Sequence, residues 1–180
     1  MKNQKDMKNE KGIKVEECDM NASRRNRKIR FFADATKVGM PFIRIEEGDF
    51  EGIVMLIDTG SNDNLIFGYA YHQLEDLMKP VDGQRKSYGI DGNIITANLV
   101  SGIIPFCSKR YEMNFLVRED NEAAMLLSKD MGFPVAGIIG TNFLAEHGWM
   151  IDFGKQEVVI PAEDIGSIDF AAIRKMKEKR

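Results

Sequence analysis

The fold of this chain is decided by residues 53–61, which read IVMLIDTGS. Five apolar residues in succession predict a short strand buried on both faces, and the strand ends in Asp58. A carboxylate at the end of a buried strand costs free energy unless hydrogen-bond donors reach its oxygens. The next three residues offer such donors, namely the hydroxyls of Thr59 and Ser61 and the backbone N–H of Gly60. The segment therefore predicts a loop that presents one carboxylate rigidly, although Asp-Thr-Gly is also a common turn after a strand.

A second segment, residues 135–144, reads VAGIIGTNFL and predicts a short strand, a glycine and the start of a helix over residues 141–147. Together the two segments resemble the retropepsin-like family, the retroviral-type, single-lobe aspartic proteases. In that family a buried strand leads into Asp-Thr/Ser-Gly-Ala/Ser, a hairpin flap follows, and a strand of two hydrophobic residues and a glycine packs with a short helix behind the active-site loop. The resemblance covers roughly residues 36–161, and its matching positions in the active-site loop and the supporting strand are Asp58, Thr59, Gly60, Ser61, Ile138, Ile139 and Gly140.

The resemblance implies a mainly β, closed-barrel-like single-lobe acid protease fold with a flap hairpin and a few added helices. Bacterial members are the most similar, because they carry a helix between the active-site loop and the flap, as residues 66–79 are predicted to do here. The resemblance also implies an aspartic endopeptidase that hydrolyses peptide bonds in a peptide or protein substrate.

Aspartic proteolysis needs two carboxylates that share one proton, because like charges so close together cannot both ionise at moderate pH. One Asp-Thr-Gly per chain is half of such a site. The chain is therefore predicted to be a twofold homodimer in which the two Asp58 side chains face each other.

A second function stays open from the sequence, namely a non-proteolytic peptide-binding or dimerisation module that keeps the acid protease fold. The intact Asp58, Thr59 and Gly60 favour the enzyme, because a binding module does not need a buried acid. One departure from the family limits the comparison. Retroviral members often place Arg-Asp or Arg-Asn after the later glycine, whereas this chain has Thr141 and Asn142, so any dimer contact made by that arginine must be absent or replaced.

Substrate-binding residues are predicted from a flap candidate at residues 87–93, which read SYGIDGN. Its glycines and its Asp-Gly pair are typical of a hairpin tip, and β-like sequence follows. As a flap it would fold over the cleft with residues Tyr88, Gly89, Ile90, Asp91 and Gly92 at the substrate; the alternative is a surface hairpin. Asp63, five residues after Asp58, is predicted to accept a substrate backbone N–H or, equally, to cap its own loop.

Other β-like runs and helical patterns complete the prediction. Antiparallel strands are predicted at residues 42–47, 52–58, 93–100, 111–119, 148–153 and 157–161, with hairpin turns at 48–52 and 154–156. Helices are predicted at residues 66–79, stopped by Pro80, at 121–131 and from 163 onward. Asp152-Phe153-Gly154 is interpreted as a hairpin turn, because too few residues follow it for a second protease lobe.

Composition and length narrow the class of protein. With 180 residues, 43% hydrophobic and 29% charged, one globular domain is expected. Its two cysteines allow one bridge at most, which excludes a disulfide scaffold. The two histidines lie far apart and away from the cysteines, so no metal site and no cofactor are predicted. No stretch approaches the roughly 20 apolar residues that cross a membrane, and no secretory signal begins the chain; a cytoplasmic location is expected unless a signal was removed.

The formal charge of −3 is distributed unevenly, with +5 over residues 1–30, −12 over 31–170 and +4 over 171–180. This predicts a basic, flexible N-terminal arm at residues 1–30, a protease-like domain at 31–162 and an amphipathic basic helix at 163–180. The basic runs contain no interleaved aromatic residues and no binding motif surrounds them, so nucleic acid is not expected as a partner.

Overall fold

Strands dominate the fold, as the sequence predicts. The computed structural model describes residues 26–88, 94–119 and 122–162. Its strands are β1 (Arg27–Arg30), β2 (Phe42–Arg44), β3 (Val54–Asp58), β4 (Leu65–Phe67), β5 (Met78–Tyr88), β6 (Ile94–Phe106), β7 (Lys109–Arg118), β8 (Gly137–Gly140), β9 (Met150–Asp152) and β10 (Glu157–Ile160). Its helices are α1 (Ala35–Val38), α2 (Gly68–Leu74), α3 (Glu122–Met131) and α4 (Thr141–Glu146), with 3-10 turns at Gly48–Phe50 and Glu75–Leu77. In these described ranges no helix has the length and apolar character needed to span a membrane.

The strands form two sheets. A seven-stranded sheet has the order β2-β3-β8-β4-β7-β6-β5, and a three-stranded sheet has the order β1-β10-β9. The mainly β fold is confirmed, and within the described residues the strands make two open sheets in place of one closed barrel. β3 pairs in parallel with β8, and β4 with β7, so the prediction of antiparallel structure throughout is wrong. Both parallel pairs join strands distant in sequence, because a parallel pair needs a long crossover connection.

β3, which carries Asp58 at its end, is buried on both faces as predicted. Met55 and Ile57 belong to one hydrophobic cluster, and Val54 and Leu56 belong to another. Successive side chains of a strand point to opposite faces, so β3 lies between the two clusters. A shift of one residue would exchange the two faces, and the burial therefore fixes where Asp58 emerges from the sheet.

Both predicted hairpins are confirmed. β2 pairs antiparallel with β3 across the turn that contains Gly48–Phe50, and β9 pairs antiparallel with β10 across residues 153–156. α3 and α4 also lie where helices are predicted. β6 and β7 extend beyond the predicted strands, because they pair with each other from Leu99 opposite Leu116 to Phe106 opposite Lys109.

The helix predicted over residues 66–79 is wrong in extent. Its first residues belong to β4, the helix α2 covers only Gly68–Leu74, and β5 begins at Met78. β4 lies between β8 and β7, and this pairing decides its conformation rather than the local helical spacing. Pro80 does not stop a helix but lies within β5, an edge strand that does not need every backbone N–H.

The sequence predicts that the folded body begins near Phe31. In the structure it begins earlier, at β1. Strand β1 pairs antiparallel with β10, and Lys28 Nζ lies 2.8 Å from Glu157 Oε1. Ile29 packs against the larger hydrophobic cluster. Residues 27–30 are therefore a sheet strand and not part of an arm. Residues 1–25 of the predicted arm and the helix predicted from residue 163 lie outside the described residues.

Candidate active site

Asp58 lies at the end of β3 in a tight turn. The backbone N–H of Gly60 donates to Asp58 Oδ1 at 2.8 Å, and the backbone N–H of Ser61 donates to the Asp58 carbonyl oxygen at 3.2 Å. Asp58 is half-buried, whereas Thr59 and Gly60 are exposed. The chain therefore holds this carboxylate in one orientation and leaves it beside an open face.

Of the two hydroxyls that the sequence offers to the carboxylate, that of Ser61 is bonded elsewhere, which corrects that part of the prediction. Ser61 Oγ donates to the carbonyl oxygen of Asp63 at 2.8 Å. Among the described residues, the Gly60 N–H is the one donor that reaches the Asp58 carboxylate. The hydroxyl of Ser61 thus stabilises the loop, and the loop in turn positions Asp58.

The supporting residues Ile138, Ile139 and Gly140 lie on β8, directly beside β3. In the register of the two strands, Ile138 faces Leu56 and Gly140 faces Asp58. Ile139 is fully buried in the larger hydrophobic cluster. The structure thus brings the two sequence motifs together on adjacent inner strands of the seven-stranded sheet.

Four hydrogen bonds tie the loop after Asp58 to β8 and α4. Thr141 donates twice, from its backbone N–H to the Ser61 carbonyl oxygen at 2.8 Å and from Oγ1 to the Thr59 carbonyl oxygen at 2.9 Å. The Asn142 N–H donates to the Asn62 carbonyl oxygen at 3.1 Å. The Gly140 N–H donates to Asn64 Oδ1 at 2.9 Å. At the position where retroviral members often carry arginine, this chain therefore has a threonine that is bonded to the loop after Asp58.

Gly140 is required by the close approach of this loop. A Cβ atom at residue 140 would lie 2.5 Å from the carbonyl oxygen of Asp63 and 2.9 Å from the carbonyl carbon of Asn62. Real Cβ atoms do not come so near to backbone atoms, so a side chain here would push the loop away from β8. The glycine that the sequence marks as part of the motif has a steric reason.

Two further residues of the site are not predicted from the sequence. Asn64 accepts from Gly140 and also donates from Nδ2 to the Asn114 carbonyl oxygen at 3.0 Å, which links the loop to β7. Arg85 on β5 pairs with Asp63, with Nη1 3.2 Å from Oδ1. Asn64 stands in a run of turn-forming residues that marks it as a loop residue, but no local signal points to Arg85.

The flap candidate corresponds to the hairpin of β5 and β6. The pairing runs from Met78 opposite Gly102 to Tyr88 opposite Ile94. Tyr88 is the last residue of β5, and the predicted contact residues Gly89, Ile90, Asp91 and Gly92 lie outside the described residues. The substrate contacts predicted for these residues stay predictions.

Asp152 lies in the other sheet, at the end of β9. Its Oδ1 accepts from the Lys155 backbone N–H and its Oδ2 from Lys155 Nζ, both at 2.9 Å. The Lys155 side-chain hydrogen bond is the main reason that the pKa of Asp152 is lowered, and the backbone bond adds to it. Asp152 thus stabilises the β9–β10 turn, in agreement with the hairpin interpretation.

Comparisons with known proteins find similarity at the level of structure. No protein-family model matches the chain, and no curated protein matches it. A retropepsin-like aspartic protease from Rickettsia conorii is 14% identical with a TM-score of 0.44, covering 76% of this chain and 90% of that one. The retroviral protease-like domain of Ddi1 from Leishmania major is 15% identical with a TM-score of 0.39, covering 76% of this chain and 96% of that one. The chain is thus similar to retropepsin-like proteins in structure as well as in motif, and the case for a function rests on the Asp58 loop itself.

Proposed function

We propose that this chain is an aspartic endopeptidase that works as a homodimer, with Asp58 of each subunit in one shared site. The observation that carries the proposal is the geometry of Asp58. The carboxylate is oriented by the Gly60 N–H, its loop is bonded to β8 and α4, and it borders an exposed surface. A rigid carboxylate beside an open face is half of the arrangement that aspartic proteolysis needs.

The dimer follows from counting carboxylates. Asp58 is the only acid in the sequence that is followed by Thr-Gly. Asp152, the other acid that ends a strand before a nearby glycine, is engaged by Lys155 in a different sheet. A second chain, related by a twofold axis, would bring the missing carboxylate and would cover the exposed Thr59 and Gly60.

The reaction proceeds through one proton shared by the two carboxylates. The ionised Asp58 takes a proton from a bound water, and the water oxygen attacks the carbonyl carbon of the scissile peptide. The protonated Asp58 of the other subunit donates a hydrogen bond to the carbonyl oxygen, where negative charge develops. The C–N bond then breaks as a proton passes to the leaving nitrogen, which yields a carboxylic acid and an amine.

The substrate is a peptide or protein segment bound in an extended conformation between the two Asp58 loops and the β5–β6 hairpins. An extended peptide exposes its backbone N–H and C=O groups, which gives affinity with limited sequence preference. Tyr88 and residues 89–92 are proposed as contacts from the hairpin. Asp63 is a further candidate, although its Oδ1 is already paired with Arg85.

The test compares two matched substitutions, Asp58→Asn and Asp152→Asn. The amide at position 58 cannot serve as the base, so we expect cleavage of a diverse peptide library to fall at least about 100-fold, whereas Asp152→Asn keeps it. Cleavage is measured by mass spectrometry from acidic to neutral pH, with a statine-type transition-state mimic as an independent probe. Equal cleavage by the two variants, or none by the wild-type dimer at any pH, would leave the non-proteolytic binding or dimerisation module as the better interpretation.

A further inference from the structure

An ion pair joins the active-site loop to the β5–β6 hairpin. Arg85 Nη1 on β5 lies 3.2 Å from Oδ1 of Asp63 in the loop. Asp63 is the more buried partner, with 18% of its side chain exposed against 58% for Arg85. A largely buried carboxylate is costly without a partner, so the contact matters most to Asp63.

The order of the strands shows that this contact is not one between neighbouring strands. Asp63 lies two residues before β4 begins at Leu65, and β7 and β6 separate β4 from β5 in the sheet. Neighbouring strands lie about 4.8 Å apart, so a flat sheet would hold β4 and β5 about 14 Å apart. The ion pair therefore requires the hairpin to curve back over the active-site loop.

The local structure of β5 supports this curvature. The register between β5 and β6 is interrupted between Val81 and Gln84, where Gly83 has a φ of 99°. An irregularity of this kind bends a strand and changes the direction of the side chains beyond it. Arg85 follows Gln84, the residue at which the regular pairing resumes.

Arg85 lies on the inner face of the hairpin. Its partner in the register is Ala97, which is 7% exposed. The preceding pair, Gln84 and Asn98, is exposed, and Gln84 Nε2 lies 3.3 Å from Asn98 Oδ1. Because side chains alternate along a strand, Arg85 and Ala97 share the face directed at the loop.

Asp63 is fixed relative to Asp58 by contacts of its own backbone. Its carbonyl oxygen accepts from Ser61 Oγ at 2.8 Å and lies against Gly140, the register partner of Asp58. Movement of Asp63 would therefore disturb the loop that orients Asp58. A side chain that pairs with Asp63 is therefore held at a set position relative to the Asp58 loop.

We propose that Arg85 is a positioning residue: its ion pair with Asp63 holds the β5–β6 hairpin at a set distance from the Asp58 loop and so defines the height of the substrate cleft. The consequence for catalysis rests on the proposed function, whereas the positioning of the hairpin does not. The carboxylate of Asp63 then serves the hairpin first, which gives it a task besides the substrate contact or loop cap predicted from the sequence.

The structural half is tested by backbone amide hydrogen exchange in β5 and β6. Arg85→Ala is compared with Arg85→Lys, which keeps the charge, and with Lys86→Ala, which removes the exposed neighbouring charge. We expect exchange in the hairpin to rise about threefold in Arg85→Ala, less in Arg85→Lys and not in Lys86→Ala, and the difference to shrink in 1 M salt. Unchanged exchange in Arg85→Ala, or an equal change in Lys86→Ala, overturns the proposal.

The functional half is tested by kinetics on a peptide that the wild type cleaves. A hairpin that is less well placed weakens substrate binding before it affects the chemistry, so we expect KM to rise about threefold in Arg85→Ala with kcat nearly unchanged, and Asp63→Asn to add little to that rise. Additive effects of the two substitutions overturn the proposal. If the wild type cleaves nothing, the hydrogen-exchange result alone decides the positioning role, and the failure falls on the proposed function instead.

Discussion

Asp58 and Asp152 each end a strand, and each is followed two residues later by glycine, yet they occupy opposite situations. Asp58 ends β3, an inner strand with four buried residues before the acid. Asp152 ends β9, an edge strand whose first residue, Met150, is exposed. The carboxylate of Asp152 is engaged at both oxygens by Lys155, whereas that of Asp58 receives one bond from the Gly60 N–H among the described residues.

The difference shows what converts a strand-terminal acid into a candidate catalytic group. The residues after Asp152 fold back on the carboxylate and neutralise it within a turn. The residues after Asp58 direct their bonds to β8 and α4, so that the loop is rigid while the carboxylate stays available. The two sites share the Asp-X-Gly pattern. They differ in the support that neighbouring elements give to the loop after the acid.

The largest expected difference between the two sites comes from their glycine contacts. Gly140→Ala would place a Cβ 2.5 Å from the Asp63 carbonyl oxygen, whereas Gly154→Ala would place one 3.3 Å from a side-chain atom, Asp152 Oδ1. We expect the first to lower the free energy of unfolding by about 1–3 kcal/mol and to abolish cleavage, and the second to change little. Urea unfolding followed by circular dichroism measures both. Equal stability of the two variants would show that β8 does not support the loop as closely as described.

Subunit mixing tests the difference at the level of the dimer. Wild-type chains are mixed with a ninefold excess of Asp58→Asn chains or, as a control, of Asp152→Asn chains. In the first mixture about a tenth of the wild-type chains keep a wild-type partner, so activity per wild-type chain should fall about tenfold; in the second it should not fall. If the Asp58→Asn excess left the activity per wild-type chain unchanged, one chain would have to supply both carboxylates.

Truncation of the N-terminus tests the three-stranded sheet that contains Asp152. Removing residues 1–25 deletes a segment with few apolar side chains, and we expect no change in the unfolding midpoint. Removing residues 1–30 also deletes β1, which pairs with β10 and packs Ile29 against the core, and should lower the free energy of unfolding by about 1 kcal/mol. Differential scanning calorimetry of the two truncations measures this difference. If removal of residues 1–30 left the free energy of unfolding unchanged, residues 27–30 would be better described as part of the predicted arm than as a stabilising strand.

The parts of the fold that follow from local chemistry could be predicted from the sequence. The unbroken apolar run of β3 predicts burial on both faces, and Gly140 with its hydrophobic neighbours predicts the strand next to a helix. The helix predicted at residues 66–79 fails because β4 is chosen by its partners β7 and β8, which are distant in sequence. Pro80 misleads for the same reason, since its tolerance depends on β5 being an edge strand.

The same contrast between local and long-range determinants applies to the candidate site. Asp58 and Gly60 are two residues apart in sequence, and their hydrogen bond is a local contact that the turn motif predicts. The pairing of Arg85 with Asp63 depends on how the hairpin curves over the loop, which no local pattern encodes. Thr141 is intermediate: the resemblance to retropepsin-like proteases draws attention to this position, but only the structure shows the bonds that Thr141 makes.

The smallest expected effect concerns pH and isolates the Asp152 turn. The bonds from Lys155 lower the pKa of Asp152, so the pair contributes stability at a pH above the ordinary carboxyl pKa of about 4, and that contribution is lost as the pH falls through the lowered pKa. The same pair raises the pKa of Lys155, and its stabilising contribution at high pH is lost as the pH rises above the ordinary lysine pKa.

Lys155→Met removes both contributions, so the thermal midpoint of the variant should fall less than that of the wild type between about pH 5 and about pH 2.5. Both groups are solvent-exposed, so the difference should be slight and should vanish in 1 M salt. Lys155→Met should leave the pH profile of peptide cleavage unchanged, because Asp152 and Lys155 lie at the β9–β10 turn of the other sheet; a shifted profile would show that the two strand-terminal acids are coupled after all.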